Sequence, residues 1–483
     1  MLESGCCKSS RMEVLMDSKH FIMVSLNLTQ DRIESLNTVL SNNIFHIYIT
    51  LKPSIQECEF CGNSKSISVC NYTDRSYRHL DIFGYPSIIH WHRRRYRCKD
   101  CGKTFAESNP FGPETYHVSY AVLNGIVDAL RNPHKTYKEI AKDFHVSDTL
   151  VQLYADSFIR VPRQYLPENL GIDEIHSDMA KYGGSYLCVF VDNKERCLNE
   201  ILPDRSKRTL SRHFESIPER ERNKVKYVTI DMWEPYKEVC RKYLKNCEIA
   251  VDPFHVVEHL SNCFSRLRID LMNQAPKDSA AYYLLKKWHK LLETDYRLDN
   301  TPQYNKFFGQ KLNYRDIYNM LLDLNPDLSL AYQLKEMYRD FNRIATESDC
   351  AARFDQIYDA FCEADLPCYR EFVSLLEHWR TEILNSFKRP YGDRKQSNAL
   401  SENINGQIRT LISISNGMSN FERFRARALF CFNRFISYAL TQKITSLKCT
   451  GKARGKYNKQ SNSVIDSLPS PIENDGPDDE SDQ

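Results

Sequence analysis

Three acidic residues stand where acids are uncommon. Asp173 lies within the apolar run GIDEI, Asp231 closes VKYVTID, and Glu402 sits in SNALSENINGQIR. Acidic residues are depleted in strands, so two aspartates in strand-like runs need a reason. If those strands are neighbours, their carboxylates converge, and two such acids repel unless a cation lies between them. The third acid belongs to a helical run in which Asn398, Glu402, Asn405 and Arg409 recur at three- and four-residue spacing, hence along one face. Such a face is usually only solvated. A helix able to return to the sheet would make it a third ligand. Hard carboxylate oxygens suit Mg²⁺ (or Mn²⁺), and a pair of such ions suits phosphoryl transfer.

A second constellation is built from sulfur. Cys58-Glu-Phe-Cys61 and Cys98-Lys-Asp-Cys101 are both CxxC, each followed at once by glycine (Gly62, Gly102). Glycine permits the tight turn that a metal knuckle needs. Two knuckles place four thiolates tetrahedrally, the arrangement of structural Zn²⁺. The intervening SIIHWHRRRYRC is strand-like, which suits a zinc ribbon with a hairpin between knuckles. Cys70, His79, His90 and His92 lie between the pairs and are expected to pack or to face DNA. Arg93, Arg94 and Arg95 are expected to meet phosphates.

Downstream, TYKEIAKDFHVSDTLVQLYADSF (136–158) has helix-turn-helix spacing. Ala141 is the small residue at the crossing, and His145 sits at the turn, where a positive φ is needed. Val146 plugs the core and Ser147 caps the second helix. Val151 and Tyr154 face inward. That leaves Ser147, Asp148, Thr149 and Gln152 at the outer face, where a recognition helix meets the major groove. A plain helical hairpin is the bland alternative. A competing motif, His255-Val-Val-Glu258-His259, matches the HxxEH of inverted zincins and would make the chain a zinc metallopeptidase. That reading leaves the cysteine knuckles and the helix-turn-helix without a purpose.

These residues need elements to hold them. GIDEI (171–175), YLCVFVD (186–192) and CLNEILP (197–203) read as a short-looped antiparallel meander. VKYVTID (225–231) and EIAVD (248–252) read as two further strands, separated by the helix EPYKEVCRKYL (234–244). The result is a mixed sheet with helices on its faces. Beyond Phe254 the pattern is helical to about Thr441. Residues 31–40 read as a helix, and NNIFHIYITL (42–51) alternates like a strand.

The expected organisation is a multidomain α/β chain. It comprises an N-terminal segment (1–45), a zinc-binding domain (46–115), a helix-turn-helix (116–165) and a first core part (166–273). An all-helical insertion (274–395), returning core helices (396–445) and a disordered basic then acidic tail (446–483) follow.

With 483 residues the chain exceeds one ordinary core. Its 17 cysteines are mostly scattered, as expected of free thiols in a reducing compartment. No apolar run or leader-like N-terminus points to a membrane or to export, so an intracellular protein is expected. The net charge of +3 hides an uneven distribution. The acidic end SPIENDGPDDESDQ offsets basic runs such as HWHRRRYRCKDCGK and KCTGKARGKYNK, a pattern compatible with a nucleic-acid partner.

Taken in order, CEFCG…YRCKDCGKTF, the helix-turn-helix, GIDE, TIDMWEPY, VDPFHVV and SNALSENINGQIR resemble the insertion-sequence transposases of the ISL-three (ISL3) family over roughly residues 45–445. The resemblance implies a zinc-binding domain, a helix-turn-helix and a ribonuclease-H-like core with a DDE triad matching Asp173, Asp231 and Glu402. It further implies a DNA transposase that binds the terminal inverted repeats of its element and catalyses strand cleavage and transfer. Two ends must be brought together, so a homodimer is the expected assembly. An inactive copy acting as a DNA-binding regulator is the non-enzymatic alternative. Asp252 and His255 fall on a recurrent family motif and, with Asn398 and Arg409, are supporting residues. Ala399 and Asn403 depart from the family pattern, which has glycine at both.

Overall fold

The computed structural model describes residues 20–433, apart from 55–56, 63, 160, 180–184, 294–300, 393–394 and 416–419. The tail and the helix end expected beyond Asn433 lie outside the described residues.

The first sheet is built by two tight hairpins. Strand β1 (Ile33–Ser41) pairs antiparallel with β2 (Ile44–Leu51) across Asn42-Asn43, whose φ angles are 51° and 59°. A two-residue loop with both φ positive matches the right-handed twist of the strands, and asparagine tolerates it. The helix expected at 31–40 is therefore a strand. Ile33, Leu36 and Leu40 do have helical spacing, but pairing with β2 overrides it. Strands β3 (Ile67–Ile82) and β4 (Tyr85–Cys98) turn at Phe83-Gly84 in the same way, and β4 runs parallel to β2. The order is β1-β2-β4-β3, with the short β5 (Thr104–Ala106) beside β4. The expected boundary at 45/46 thus cuts through a hairpin, and β1 belongs with the zinc-binding region. Ile47, Ile49, Tyr77, Ile89, Trp91 and Phe111 form this sheet's core.

Three helices follow: α1 (Tyr120–Ala129), α2 (Tyr137–Asp143) and α3 (Asp148–Phe158). Thr136 and Glu139 make a reciprocal capping box at the start of α2. His145 has φ 52° in the turn, and the Ser147 hydroxyl accepts from Leu150 N at 3.2 Å to cap α3. Ile140, Ala141, Val151 and Tyr154 are buried between these helices, and Val146 packs against the same cluster.

The second sheet has the order β10-β9-β6-β7-β8. Strands β6 (Asn169–His176), β7 (Tyr186–Asp192) and β8 (Cys197–Leu202) form the antiparallel meander. After α4 (Lys207–Glu215), β9 (Tyr227–Ile230) adds parallel to β6. After α5 (Glu234–Tyr243), β10 (Glu248–Val251) adds parallel to β9. Alternation of side chains divides the sheet's two faces. Leu170, Ile172, Cys188 and Phe190 join the core shared with α4 and α5, while Ile175, Leu187, Val189 and Val191 join the core shared with α1–α3.

The long α6 (Pro253–Gln274) leads into the insertion, whose main helices are α7 (Pro326–Ile344), α8 (Cys350–Ala364), α9 (Arg370–His378) and α10 (Arg380–Asn385). It is not purely helical: Gln303–Asn305 and Gln310–Leu312 form a small hairpin. Its core is continuous with that of the sheet, and Asn385 Nδ2 donates to Ile249 O on the edge strand β10 at 2.8 Å. The chain then returns as α11 (Ala399–Ile414) over β6 and β7, and α12 (Phe421–Phe432) against β8.

Candidate active site and metal centre

The parallel register explains how the acids meet. Gly171 of β6 lies opposite Thr229 of β9, and Val251 of β10 opposite Ile230. Asp173 and Asp231 each stand two residues beyond the Gly171–Thr229 pair, and Asp252 follows Val251 as Asp231 follows Ile230. Side chains two apart share a face, so three aspartates collect where three neighbouring parallel strands end. The carboxyl ends of parallel strands are the usual place for a site in α/β sheets.

Helix α11 closes over this edge. Asn405 Nδ2 donates to Asp173 Oδ2 at 2.7 Å, and Asn398 Nδ2 donates to Asp231 Oδ1 at 3.0 Å. The close approach depends on Gly171. A Cβ there would stand 2.5 Å from Val191 Cγ2 and 3.0 Å from Ser401 Oγ. Glu402 lies four residues after Asn398 and three before Asn405, so about 40° and 60° from them around the helix axis. Its side chain is exposed at the rim of the site. Arg409 lies exposed further along the helix, as do Ala399 and Asn403 at its start. Those two departures from the family pattern therefore burden no packing. Asn405 and Ser401 were not singled out from sequence as contacts of the site. The three- and four-residue spacing carried the signal for Asn405, whereas nothing in the sequence marks Ser401.

The tightest cluster of ligand-type atoms at this edge is Asp231, Asp252 and His255. Asp252 caps α6, its carboxylate accepting from Phe254 N at 3.3 Å. His255 Nε2 lies 2.9 Å from Asp231 Oδ1, and its Nδ1 lies 3.4 Å from Glu258. Burial and the adjoining Asp231 charge push the Asp173 carboxyl up to about 7. The hydrogen bond to Asp231, which burial only partly opposes, raises His255 to about 9. The crowding of carboxylates thus opposes ionisation of Asp173 unless a cation lies among them. Three buried atoms of α11 have no partner among the described residues: Asn398 Oδ1, Asn405 Oδ1 and Ser401 Oγ. Each asparagine has its amide nitrogen on an aspartate, so its orphaned oxygen lies close by. Crowded carboxylates beside unsatisfied oxygen acceptors fit a hard divalent cation with its bound waters.

The HxxEH residues diverge. His255 joins the acids, whereas His259 Nδ1 lies 3.7 Å from Cys263 Sγ. The two histidines therefore do not act as a pair, contrary to the zincin pattern.

The four knuckle cysteines converge as expected. Cys58 and Cys101 Sγ are 3.6 Å apart, as are those of Cys61 and Cys98, and all four lie within 4.8 Å of one another. Thiolates on a tetrahedral Zn²⁺ with bonds of about 2.3 Å are about 3.8 Å apart. Gly62 and Gly102 have φ 71° and 70°, and their amides close the knuckles on Cys58 O and Cys98 O at 2.8 and 2.9 Å. Burial opposes ionisation of Cys58, but N–H groups of Phe60 and Cys61 bring its thiol down to about 7. Cys70, His79, His90 and His92 lie apart from this cluster among the described residues.

The expected DNA-facing residues divide. Arg93 is buried, with Nη1 and Nη2 on Glu114 at 2.8 and 2.7 Å. Arg94 is buried against Glu34, Glu107 and Leu51 O. Both are structural ion pairs rather than phosphate contacts, because they sit where the sheet packs on its flanking loops. Arg95 is partly exposed and reaches Thr104 Oγ1 at 3.3 Å. Ser147, Asp148 and Thr149 are exposed. Gln152 is turned toward α12, its side-chain amide 3.0 Å from the Arg423 guanidinium.

The fold and the site together define a mixed α/β protein with two cysteine knuckles and three aspartates gathered at the carboxyl ends of its parallel strands. Residues 170–428 match a family described as a transposase, of ISL3 type, and residues 56–101 match the "zinc-finger of transposase IS204/IS1001/IS1096/IS1165". The chain belongs to the ISL3 family of transposases. It is 25% identical over 393 residues to the "Transposase for insertion sequence element IS1001" of Bordetella parapertussis, covering 80% of this chain and 91% of the relative. The family implies an enzyme that transfers nucleic-acid strands, and the four clustered cysteines support structural zinc. No helix among the described residues is long and apolar enough to cross a membrane.

Proposed function

We propose that the chain cuts and joins double-stranded DNA at the terminal inverted repeats of its own element, using Asp173, Asp231 and Glu402 as a DDE triad on a ribonuclease-H-like core. The observation that carries this reading is the pairing of Asp173 and Asp231 with Asn405 and Asn398, which bracket Glu402 on α11. Bound Mg²⁺ (or Mn²⁺) ions would supply charge for the phosphoryl oxygens and activate the attacking water or 3′-hydroxyl. Asp173, Asp231 and Glu402 would be the carboxylates that hold these ions. Glu402 must turn inward from the rim, which its exposed side chain is free to do. We read α2 and α3 as a helix-turn-helix with Ser147, Asp148 and Thr149 toward the major groove. The zinc-binding region beside it is the second DNA contact. Synapsis of two ends calls for a homodimer.

The test is a cleavage assay on the element's ends. Asp231→Asn and Glu402→Gln keep shape and remove charge. Each should abolish cleavage and strand transfer and leave end binding within about a few-fold of wild type, because phosphate and groove contacts lie elsewhere. A Glu402→Gln protein that still cuts would overturn the triad.

A further inference from the structure

Strand ends β6, β9 and β10 offer more than a triad. Asp252 and His255 stand with Asp231 as a compact group, while Glu402 lies outside it at the rim. The chemistry of this group differs from that of the triad, because it contains a nitrogen.

We propose that Asp231, Asp252 and His255 form a mixed oxygen–nitrogen cation subsite, and that His255 makes it select a first-row transition ion over Mg²⁺. The proposal rests on the reading of Asp173, Asp231 and Glu402 as cation ligands, and it assigns a selectivity to that site which the triad alone lacks. Cis ligands on an octahedral ion with bonds of about 2.1 Å are about 3.0 Å apart. His255 Nε2 and Asp231 Oδ1 are 2.9 Å apart, so the pair is already spaced for a shared ion. Asp252 comes to the same point because it follows β10 in register with Asp231 and is held there as the cap of α6. Its carboxylate accepts from Phe254 N at 3.3 Å. The orphaned Asn398 Oδ1, on a side chain 1% exposed, adds an oxygen acceptor beside Asp231. Glu258 lies 3.4 Å from the far nitrogen of His255, on the side where outer carboxylates stand against metal-bound histidines. Imidazole favours transition ions, whereas Mg²⁺ prefers oxygen alone.

The alternative is that His255 only orients Asp231 by donating a hydrogen bond. The two differ in what Mn²⁺ feels. Mn²⁺ added to the full-length, zinc-loaded protein without DNA can be followed by electron paramagnetic resonance, with the electron spin echo reporting directly bound ¹⁴N. Wild type should show nitrogen coupling. His255→Gln should lose it and bind Mn²⁺ about tenfold or more weakly, with Mg²⁺ affinity, read by competition, changed less than about threefold. Asp252→Asn keeps the capping oxygen and should weaken Mn²⁺ while retaining the nitrogen signal. It remains informative if His255→Gln does not fold. Wild-type Mn²⁺ without nitrogen coupling overturns the proposal, as does an equal loss of Mn²⁺ and Mg²⁺ in His255→Gln. The parent reading fails separately. Nitrogen coupling in a protein whose Glu402→Gln form still cuts would remove the triad and leave this subsite. Its absence in a protein silenced by Glu402→Gln would do the reverse.

Discussion

At the residue scale, the charge a side chain carries matters less than what already holds it. HWHRRRYRC reads as a phosphate-binding run, yet the alternation of β4 turns Arg93 and Arg94 onto opposite faces, and each meets carboxylates there. Removing one partner of a buried pair strands the other and costs about 3–5 kcal/mol. Arg94→Ala should therefore lower the melting temperature and solubility of the protein. Its DNA affinity, measured on the fraction that remains folded, should keep its salt dependence. A flattened salt slope with unchanged stability would restore Arg94 as a phosphate contact. The meeting of Asp173 and Asp231 was legible for the opposite reason. An aspartate in an apolar strand has no bland explanation, whereas an arginine in a long hairpin has several. Asp252 was legible only as an adjunct, because a helix-capping aspartate looks ordinary until register sets it beside Asp231.

At the element scale, the meander, the two parallel strands and the helix pair were readable because their periods are clean and their caps explicit. The capping box at Thr136 and the cap at Ser147 follow from residue types alone. Strand β1 was missed because its partner decides it, and a single segment does not display its partner. The joint between the first sheet and α1 carries a pH dependence of its own. His79 is 2% exposed, and its Nδ1 lies 2.9 Å from the Ser119 hydroxyl that caps α1. Burial depresses this histidine from 6.5 to about 4. The unfolded chain then takes up a proton between those values while the folded one does not. Stability is full above pH 6.5 and falls as the pH drops toward 4. Thermal melts from pH 7.5 to 4.5 should show a loss that His79→Gln reduces. Identical pH profiles for the two proteins would remove His79 from the account.

At the scale of the whole molecule, the insertion is part of the same body as the sheet. Glu382 of α10 is 2% exposed and pairs with Lys237 and Arg241 of α5 at 3.1 and 2.9 Å, while Lys237 also donates to His378 O. Glu382→Ala should destabilise the protein by about 3–5 kcal/mol, since it leaves Lys237 buried without its carboxylate. Chemical denaturation would register this as an earlier midpoint. Should Glu382→Ala unfold at the wild-type midpoint, the network would be incidental. Helices α3 and α12 are joined as well. Asp156 of α3 holds Arg423 of α12 at 2.7 Å, and Arg427 reaches the carbonyls of Asn132 and Lys135. No reading of local pattern foresees such links, which join residues hundreds of positions apart.

The position of α11 has a consequence in time. Asp173 and Asp231 leave the ribosome early, whereas Glu402 and its two asparagine brackets follow roughly 170 residues after Asp231. At about 5–20 residues per second, that is a delay of about 10–30 s. During that interval the nascent chain already carries the zinc knuckles and the capped helices, but its acid pair has no lid and no third carboxylate. A polypeptide released prematurely from anywhere within the insertion would lack the third carboxylate as well. On the proposed reading, such a product would be a ligand for the element's ends without being a nuclease, so interrupted synthesis would restrain the element instead of breaking the chromosome.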